Sequence, residues 1–76
     1  DIYGVGVPVD KANLRPGDLL FFKGRGTSYI NHVGMYVSDN KFIHSSSPRS
    51  GGVIYSYLNS GYYAQTYVGA RRILPE

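Results

Sequence analysis

A β-hairpin is predicted by residues 31–45, which read NHVGMYVSDNKFIHS. Side chains alternate from His32 to Ser38 between an apolar set and a second set that carries a histidine. The apolar set is Val33, Met35 and Val37, and the second set is His32, Gly34 and Tyr36. Residues 38–40 are typical of a hairpin turn, and residues 41–44 are typical of the returning strand. The two histidines of the chain, one on each strand, are therefore expected to lie close together.

The hairpin turn decides whether His32 and His44 share a face of the sheet. A two-residue turn places His44 opposite Met35 and on the other face from His32. A three-residue turn, or a bulge that achieves the same change of face, places His44 opposite Gly34, on the same face as His32 and diagonal to it. In that register the ring nitrogens are expected to approach to about 3 Å or to be linked by one water. Asn40 tolerates the left-handed conformation that a three-residue turn requires, so the sequence is compatible with the second register.

Two imidazoles on one face can act as a general base and a group that orients it, as in serine and cysteine hydrolases. They can equally be ordinary polar side chains of a tyrosine-rich sheet, and spacing alone favours this second interpretation. A metal ion would need more ligands than two histidines, and Asp39 at the tip of the turn points away from them. Residues 24–26 form too short a glycine loop to hold a phosphate. We therefore expect neither a metal nor a cofactor.

Short strands and turns are predicted on both sides of the hairpin. The apolar run of residues 19–22 follows a turn at residues 13–18 and fits a strand buried on both faces. Residues 1–13 are irregular, and Pro8 suits only an edge strand. Further downstream we expect a strand at 53–57, one helical turn within 59–65 and a closing strand at 66–74. Helix is thus nearly absent, which is unusual for a complete domain of mixed class.

The composition limits the chain to one small domain without disulfides. It has 76 residues, no cysteine and a formal charge of +3. A chain this short buries only about 60% of its unfolded surface. The lack of cysteine excludes a thiolate metal site and a cysteine nucleophile within the chain. Its apolar runs are far shorter than the roughly 20 residues of a membrane span. The positive charge suits an anionic polymer, whether nucleic acid or a bacterial wall.

Four motifs, in the same order, resemble the NlpC/P60 family of cell-wall cysteine peptidases. Residues 14–22 resemble its L-x-P-G-D-L-x-F-F segment, and residues 31–37 resemble its H-V-G-[IM]-Y strand. Residues 42–45 are similar to its [MF]-I-H-[AS] segment, with the same twelve-residue step between the histidines. Residues 67–74 resemble its closing strand. The resemblance extends from about residue 4 to residue 74, nearly the whole chain.

The resemblance implies a role for each histidine and a nucleophile outside the chain. His32 aligns with the catalytic base of the family, and His44 aligns with the polar residue that orients the base. The nucleophile of the family is a cysteine in a D-C-S-G motif upstream of the L-x-P-G-D segment, and this chain begins at Asp1, after that motif. The implied fold is α+β and papain-like. Residues 1–76 would supply mainly its antiparallel β-sheet half, as a single partial domain without the cysteine-bearing helices.

The function implied by the resemblance is that of the C-terminal half of a peptidoglycan endopeptidase. Such an enzyme cleaves stem peptides, typically between D-glutamate and a diamino acid, by Cys-His-His thiol catalysis, and this chain alone would be inactive. The expected partners are the stem peptide and the missing N-terminal half, from the same gene or a separate chain. The expected location is the bacterial cell envelope or the exterior of the cell.

Two other classes of function compete with the peptidase. A degenerate paralogue or a phage-tail component would be a non-catalytic wall-binding or structural module, with another residue in place of the cysteine. A small-barrel nucleic-acid binder would alternate aromatic and basic side chains on one sheet face, a pattern that Tyr36 and Phe42 provide only thinly. We therefore expect no nucleic-acid partner, and no membrane span.

The remaining polar and aromatic residues have mainly structural interpretations. Asp18 is expected to accept backbone N–H groups in its turn and not to act as an acid. Arg71 and Arg72 alternate faces and are expected to be solvated, although one of them could hold a substrate carboxylate. The tyrosines at 62–63 are expected to pack on the sheet. A serine of residues 45–47 could replace a missing nucleophile, but the loop provides no rigid mount for it.

Overall fold

The structure is a computed structural model and describes residues 6–24, 26–45 and 52–73. Its elements, in chain order, are β1 (Val7–Val9), a 3₁₀ helix (Lys11–Asn13), β2 (Leu19–Lys23), β3 (Ile30–Ser38), β4 (Lys41–Ser45), β5 (Val53–Tyr57), α1 (Gly61–Thr66) and β6 (Tyr67–Arg72). Within the described residues the six strands form one sheet in the order β1-β6-β2-β3-β4-β5, and every neighbouring pair is antiparallel. The described part of the chain is therefore mostly antiparallel sheet with one short α-helix.

Strand β2 lies inside the sheet, between β6 and β3. Its central side chains are almost completely buried on both faces, with Leu20, Phe21 and Phe22 at most 1% exposed. This confirms the prediction of a doubly buried strand. Residues 7–9 form the edge strand β1, so the expectation that residues 1–13 are irregular is wrong there. Pro8 lies in that edge strand, the only kind of strand that the sequence allowed for it.

The β3–β4 hairpin reaches the expected register by a different route from the three-residue turn. Ser38 pairs with Lys41, so the turn has two residues, Asp39 and Asn40, with φ of 51° and 66°. Two positive φ values are typical of a type I′ turn. The register then shifts between Tyr36 and Ser38, which makes the residue between them a β-bulge. The turn is not the three-residue one, but the alternative, a bulge that achieves the same change of face, is confirmed, as is the predicted positive φ of Asn40.

The bulge restores the pairing that the shared histidine face requires. Gly34 lies opposite His44, and Tyr36 lies opposite Phe42. Because directly opposite residues share a face, His32 and His44 project from the same side of the sheet. We call this side the histidine face.

The core lies on the histidine face under helix α1. Five buried apolar side chains from three strands and the segment before the helix form it: Leu20, Phe22, Phe42, Leu58 and Ala70. Tyr63 of α1 and Tyr67 pack against this cluster, as predicted for Tyr63. The helix is only six residues long, and Thr66 returns a hydrogen bond of 2.9 Å to the Tyr62 carbonyl. A helix this short is not stable by itself, so its packing against the sheet stabilises it.

The opposite side of the sheet, which we call the open face, is apolar and solvent-exposed. It carries alternating apolar residues of β3 and β5, each between 37% and 67% exposed: Val33, Met35, Val53, Tyr55 and Tyr57. The described residues place no helix over this face: α1 contacts the histidine face through Tyr63. None of the helices in the described residues is long and apolar enough to cross a membrane.

An ion pair ties the turn before β2 to the last strand. Asp18 is 3% exposed and accepts the Arg15 amide at 2.9 Å, which confirms its predicted role as a turn acceptor. Its two carboxylate oxygens also accept Nε and Nη2 of Arg72, each at 2.9 Å. The expectation that Arg72 is solvated is therefore wrong. The contact joins residues 54 positions apart, so local sequence did not indicate it.

Candidate active site

The histidine pair forms at the strand ends nearest the loop of residues 24–29. His32 lies opposite Phe22 of β2, and His44 lies opposite Gly34. His32 Nε2 and His44 Nδ1 are 2.7 Å apart, a hydrogen-bond distance, and the two rings are nearly perpendicular at 88°. The geometric prediction that the imidazole nitrogens approach to hydrogen-bonding distance is confirmed.

A hydroxyl group from the next strand extends the pair. Ser56 Oγ lies 2.8 Å from Nε2 of His44. Ser56 belongs to β5 and faces Phe42 across the β4–β5 ladder, so its side chain is on the histidine face. Both ring nitrogens of His44 therefore have side-chain partners, one on each neighbouring strand.

Three aromatic rings hold the imidazoles in place. Phe42 stacks on His44 with ring centroids 4.9 Å apart and 30° between the planes. Phe22 lies 6.0 Å from the His32 ring. Tyr63 of α1 covers both, at 5.1 Å from His44 and 6.3 Å from His32. Because imidazoles packed among rings lose rotameric freedom, this aromatic enclosure keeps the histidine pair in one geometry.

Gly34 is required by the aromatic enclosure. A Cβ at Gly34 would lie 2.7 Å from Phe42 Cδ2 and 3.0 Å from the Ile43 carbonyl oxygen. Because Gly34 has no side chain, the sequence is compatible with an empty slot opposite His44 through which the two imidazoles approach each other. In the structure that slot is filled by the Phe42 ring, and the ring in turn supports His44.

Both imidazoles are shifted towards their neutral forms. Burial lowers the pKa of His32 below its ordinary value of 6.5. Burial also lowers the pKa of His44, and repulsion from His32 lowers it further, while a hydrogen bond with the Ser45 backbone works in the opposite direction. A neutral imidazole near pH 7 is the form that can accept a proton, so the electrostatics suit a general base.

A cleft opens beside the first imidazole. It has a volume of about 890 Å³. Its lining residues come from β2, β3, β4, β6 and the loop before β3: Phe21, Ser28, Tyr29, Ile30, Asn31, His32, Val33, Ser45 and Val68. His32 contributes to this lining, and His44, which is 5% exposed, does not. The pair thus has a member that can meet a ligand and a member buried behind it.

The other candidate residues do not join this site. Asp18 and Arg72 are engaged with each other and with the turn before β2. Ser45 lines the cleft and is exposed, and the rest of the serine loop, residues 46–51, lies outside the described residues, as does Arg25 of the glycine loop. Over 6–24, 26–45 and 52–73, no three His, Asp or Glu side chains group closely enough to hold a metal ion.

Sequence reasoning missed two features of the site: the contact of Ser56 with His44, and the position of Tyr63 over both imidazoles. Alternation along residues 53–57 could have indicated that Ile54 and Ser56 share a face of β5. Which face of the sheet that is depends on the β4–β5 register, and the long serine loop between these strands leaves the register open.

A part-buried, hydrogen-bonded imidazole pair beside a cleft can serve as a general base and its orienting group, carried here on an antiparallel sheet. The comparisons with known proteins identify the family. The chain belongs to the NlpC/P60 family, whose family model matches residues 2–72.

Two similar proteins are named as peptidases, one of them acting on murein. The chain is 43% identical over 70 residues to Murein DD-endopeptidase MepS/Murein LD-carboxypeptidase of Escherichia coli, covering 92% of this chain and 35% of that protein. It is 46% identical over 72 residues to Gamma-D-glutamyl-L-lysine dipeptidyl-peptidase of Bacillus cereus, covering 92% of this chain and 21% of that protein. The chain therefore spans about a third or less of either relative.

A solved structure supports the fold assignment. A crystal structure of an NlpC/P60 family protein from Bacillus cereus superposes with a TM-score of 0.80 at 44% identity. The match covers 92% of this chain and 23% of that one. The sheet described above is thus the sheet of an NlpC/P60 protein.

Proposed function

We propose that this chain supplies the general base of a peptidoglycan-cleaving cysteine peptidase and that the cysteine lies outside it. In this proposal residues 1–76 are the C-terminal, sheet-forming part of a papain-like α+β domain. Upstream helices, from the same gene or a second chain, carry the nucleophile. The enzyme acts in the cell envelope or outside the cell.

The observation that carries the proposal is the 2.7 Å contact between His32 Nε2 and His44 Nδ1 at the edge of the cleft. An isolated surface histidine needs no partner on its far nitrogen. A catalytic base does, because a hydrogen bond to one nitrogen fixes the proton there and leaves the other nitrogen free to accept. The burial of His44 behind a more accessible His32, in a chain similar to a murein endopeptidase, also supports the proposal.

The mechanism follows from that tautomer. His32 Nδ1 takes the proton of the cysteine thiol, and the thiolate sulfur attacks the amide carbonyl carbon of the stem peptide. The resulting imidazolium gives its Nδ1 proton to the leaving amine, and an acyl-enzyme remains. Water then loses a proton to His32 as it attacks the thioester, which releases the acid and restores the thiol. His44 accepts the His32 Nε2–H throughout and keeps the ring in position.

The substrate we propose is the bond between D-glutamate and the diamino acid of the stem peptide. The printed name of the Bacillus cereus relative contains this linkage, and the relative is 46% identical to the chain. The Escherichia coli relative carries a different bond in its name, a DD-linkage. Purified muropeptides that offer both bonds therefore distinguish the two specificities by the mass of the products.

The test uses the complete gene product with whatever sequence precedes Asp1. We expect muropeptide cleavage that iodoacetamide abolishes. His32→Ala should remove activity to the detection limit, because the thiol loses its base, and His44→Ala should leave a small residue of activity, because the base is only misplaced. Asn59→Ala, at an exposed position before α1, is the matched control and should cleave at the parental rate.

Two results would overturn the proposal. Near-full activity of His32→Ala would show that the base lies elsewhere. Binding to sedimented peptidoglycan without cleavage, together with a residue other than cysteine in the upstream motif, would favour the non-catalytic wall-binding module.

A further inference from the structure

Ser56 is placed to control which nitrogen of the histidine pair carries a proton. His44 is 5% exposed, with Nδ1 directed to His32 at 2.7 Å and Nε2 directed to Ser56 Oγ at 2.8 Å. Neutral imidazole has one proton, so His44 donates at one nitrogen and accepts at the other. The chain of two hydrogen bonds can therefore run in only two directions.

The two directions differ in whether His32 can act as a base. In the first, His32 Nε2–H donates to His44 Nδ1, His44 Nε2–H donates to Ser56 Oγ, and His32 Nδ1 is bare. In the second, the Ser56 hydroxyl donates to His44 Nε2, His44 Nδ1–H donates to His32 Nε2, and His32 Nδ1 carries the proton. Only the first direction leaves a nitrogen that can accept a proton from a thiol.

In the first direction, both hydrogen bonds also keep the same donors and acceptors when His32 is protonated during the reaction. When His32 gains a proton at Nδ1, its Nε2–H still donates to His44 and the His44 Nε2–H still donates to Ser56. The second direction would place an N–H of His44 against an N–H of the imidazolium. An acceptor at the far end of His44 is therefore needed in both protonation states of the base.

We propose that Ser56 is a positioning residue that holds His44 in its Nε2–H tautomer and thereby keeps His32 Nδ1 free as the base. This inference rests on the proposed function above and adds a third member behind the two histidines. Ser56 does not touch the substrate in this arrangement. It acts through His44, from the neighbouring strand β5.

The measurement is a long-range ¹H–¹⁵N spectrum of the histidine rings, which reports tautomers without substrate, recorded on the complete gene product. We expect both His32 and His44 as Nε2–H tautomers. In Ser56→Ala the buried His44 Nε2–H has lost its side-chain acceptor, so we expect the Nδ1–H tautomer to appear at His44 and at His32. Ser56→Thr keeps the hydroxyl and should restore the parental spectrum. Ser38→Ala, at the far end of β3, is the matched control and should leave the spectrum unchanged.

The kinetic arm separates positioning from structural damage. Ser56→Ala should lower kcat roughly 10- to 100-fold with little change in KM, as loss of a group that orients another commonly does. Ser56→Thr should recover most of kcat. Unchanged tautomers and unchanged kcat in Ser56→Ala would overturn the inference while the proposed function stood. The tautomers could instead respond as expected in a protein that cleaves no muropeptide. That result would support the hydrogen-bond network and overturn the proposed function.

Discussion

Burial of two imidazoles makes the stability of this fold depend on pH at the residue scale. The pKa values of His32 and His44 are lowered from 6.5, so the unfolded chain binds protons more readily than the folded one below that pH. The contribution of the neutral imidazoles to stability is therefore complete above pH 6.5 and is lost as the pH falls towards the folded pKa values. We expect the free energy of unfolding of the complete gene product to decline between pH 7 and pH 5 in urea titrations.

Asp18 provides the control, because its titration lies in another pH range. Burial works to raise the pKa of Asp18, but hydrogen bonds from the Arg72 side chain and the Arg15 amide, with the charges of both arginines, bring it below 3.8. Its contribution to stability is present above pH 3.8 and is lost below it. Asp18→Asn should leave the decline between pH 7 and pH 5 in place, whereas His44→Gln should reduce it. A stability curve that is flat from pH 7 to pH 5 would contradict the burial of the pair.

Gly34 is a second residue whose replacement has a definite expected effect. Gly34→Ala places a Cβ 2.7 Å from the Phe42 ring, and the ring cannot move without disturbing His44, on which it stacks. We expect a loss of about 1–3 kcal/mol in unfolding free energy, as for other overpacked cores, and a fall in activity. In Gly34→Ala/Phe42→Leu the smaller side chain relieves the clash, so the double variant should lose less stability than the sum of the single variants. Strict additivity would show that the glycine does not accommodate Phe42.

At the scale of the element, the β-bulge in β3 reconciles a two-residue turn with a shared histidine face. The bulge residue Val37 lies between the paired positions Tyr36 and Ser38. Deleting Val37 leaves a regular hairpin in which Gly34 still pairs with His44, so we expect the histidine contact and the activity to persist. Inserting one alanine between Phe42 and Ile43 instead moves His44 to the open face, because strand side chains repeat every two residues.

Activity and the ring spectra measure the outcome for both hairpin variants. The insertion should lose at least as much activity as His44→Ala, with an exposed His44 resonance. If the Val37 deletion destroyed the histidine contact while the protein remained folded, the bulge would have a role beyond register.

The hairpin also shows how far sequence reasoning extends for this chain. Alternation in residues 32–38 predicted the strand and its two faces, and the left-handed tendency of Asn40 predicted the turn residue. The sequence could not separate a three-residue turn from a two-residue turn with a bulge, because both place His44 opposite Gly34. The sequence did not predict the Ser56–His44 contact or the Asp18–Arg72 ion pair, because each depends on a register or contact between segments far apart in the chain.

At the scale of the whole molecule, the two faces of the sheet differ in how they are covered. The histidine face carries the core and is closed by α1 through Tyr63. The open face exposes large apolar side chains from β3 and β5, and β5 is also an unpaired edge of the sheet within the described residues. The other edge strand, β1, contains Pro8, which discourages pairing with another chain, whereas β5 contains no proline. Association of the isolated chain should therefore proceed through the open face and β5.

We expect the 76-residue chain by itself to be inactive and to self-associate rather than fold as a stable monomer. The open face exposes a large apolar area, and that area favours pairing or aggregation. Light scattering across a concentration series should show this, and Val53→Lys/Tyr55→Lys should suppress it, because charges on an edge strand oppose pairing. Ala64→Lys, which places one charge on exposed α1, is the control and should not. A purified, monomeric 76-residue chain with a cooperative thermal transition and no partner would contradict the expectation and would show that the histidine face alone is sufficient to hold the fold.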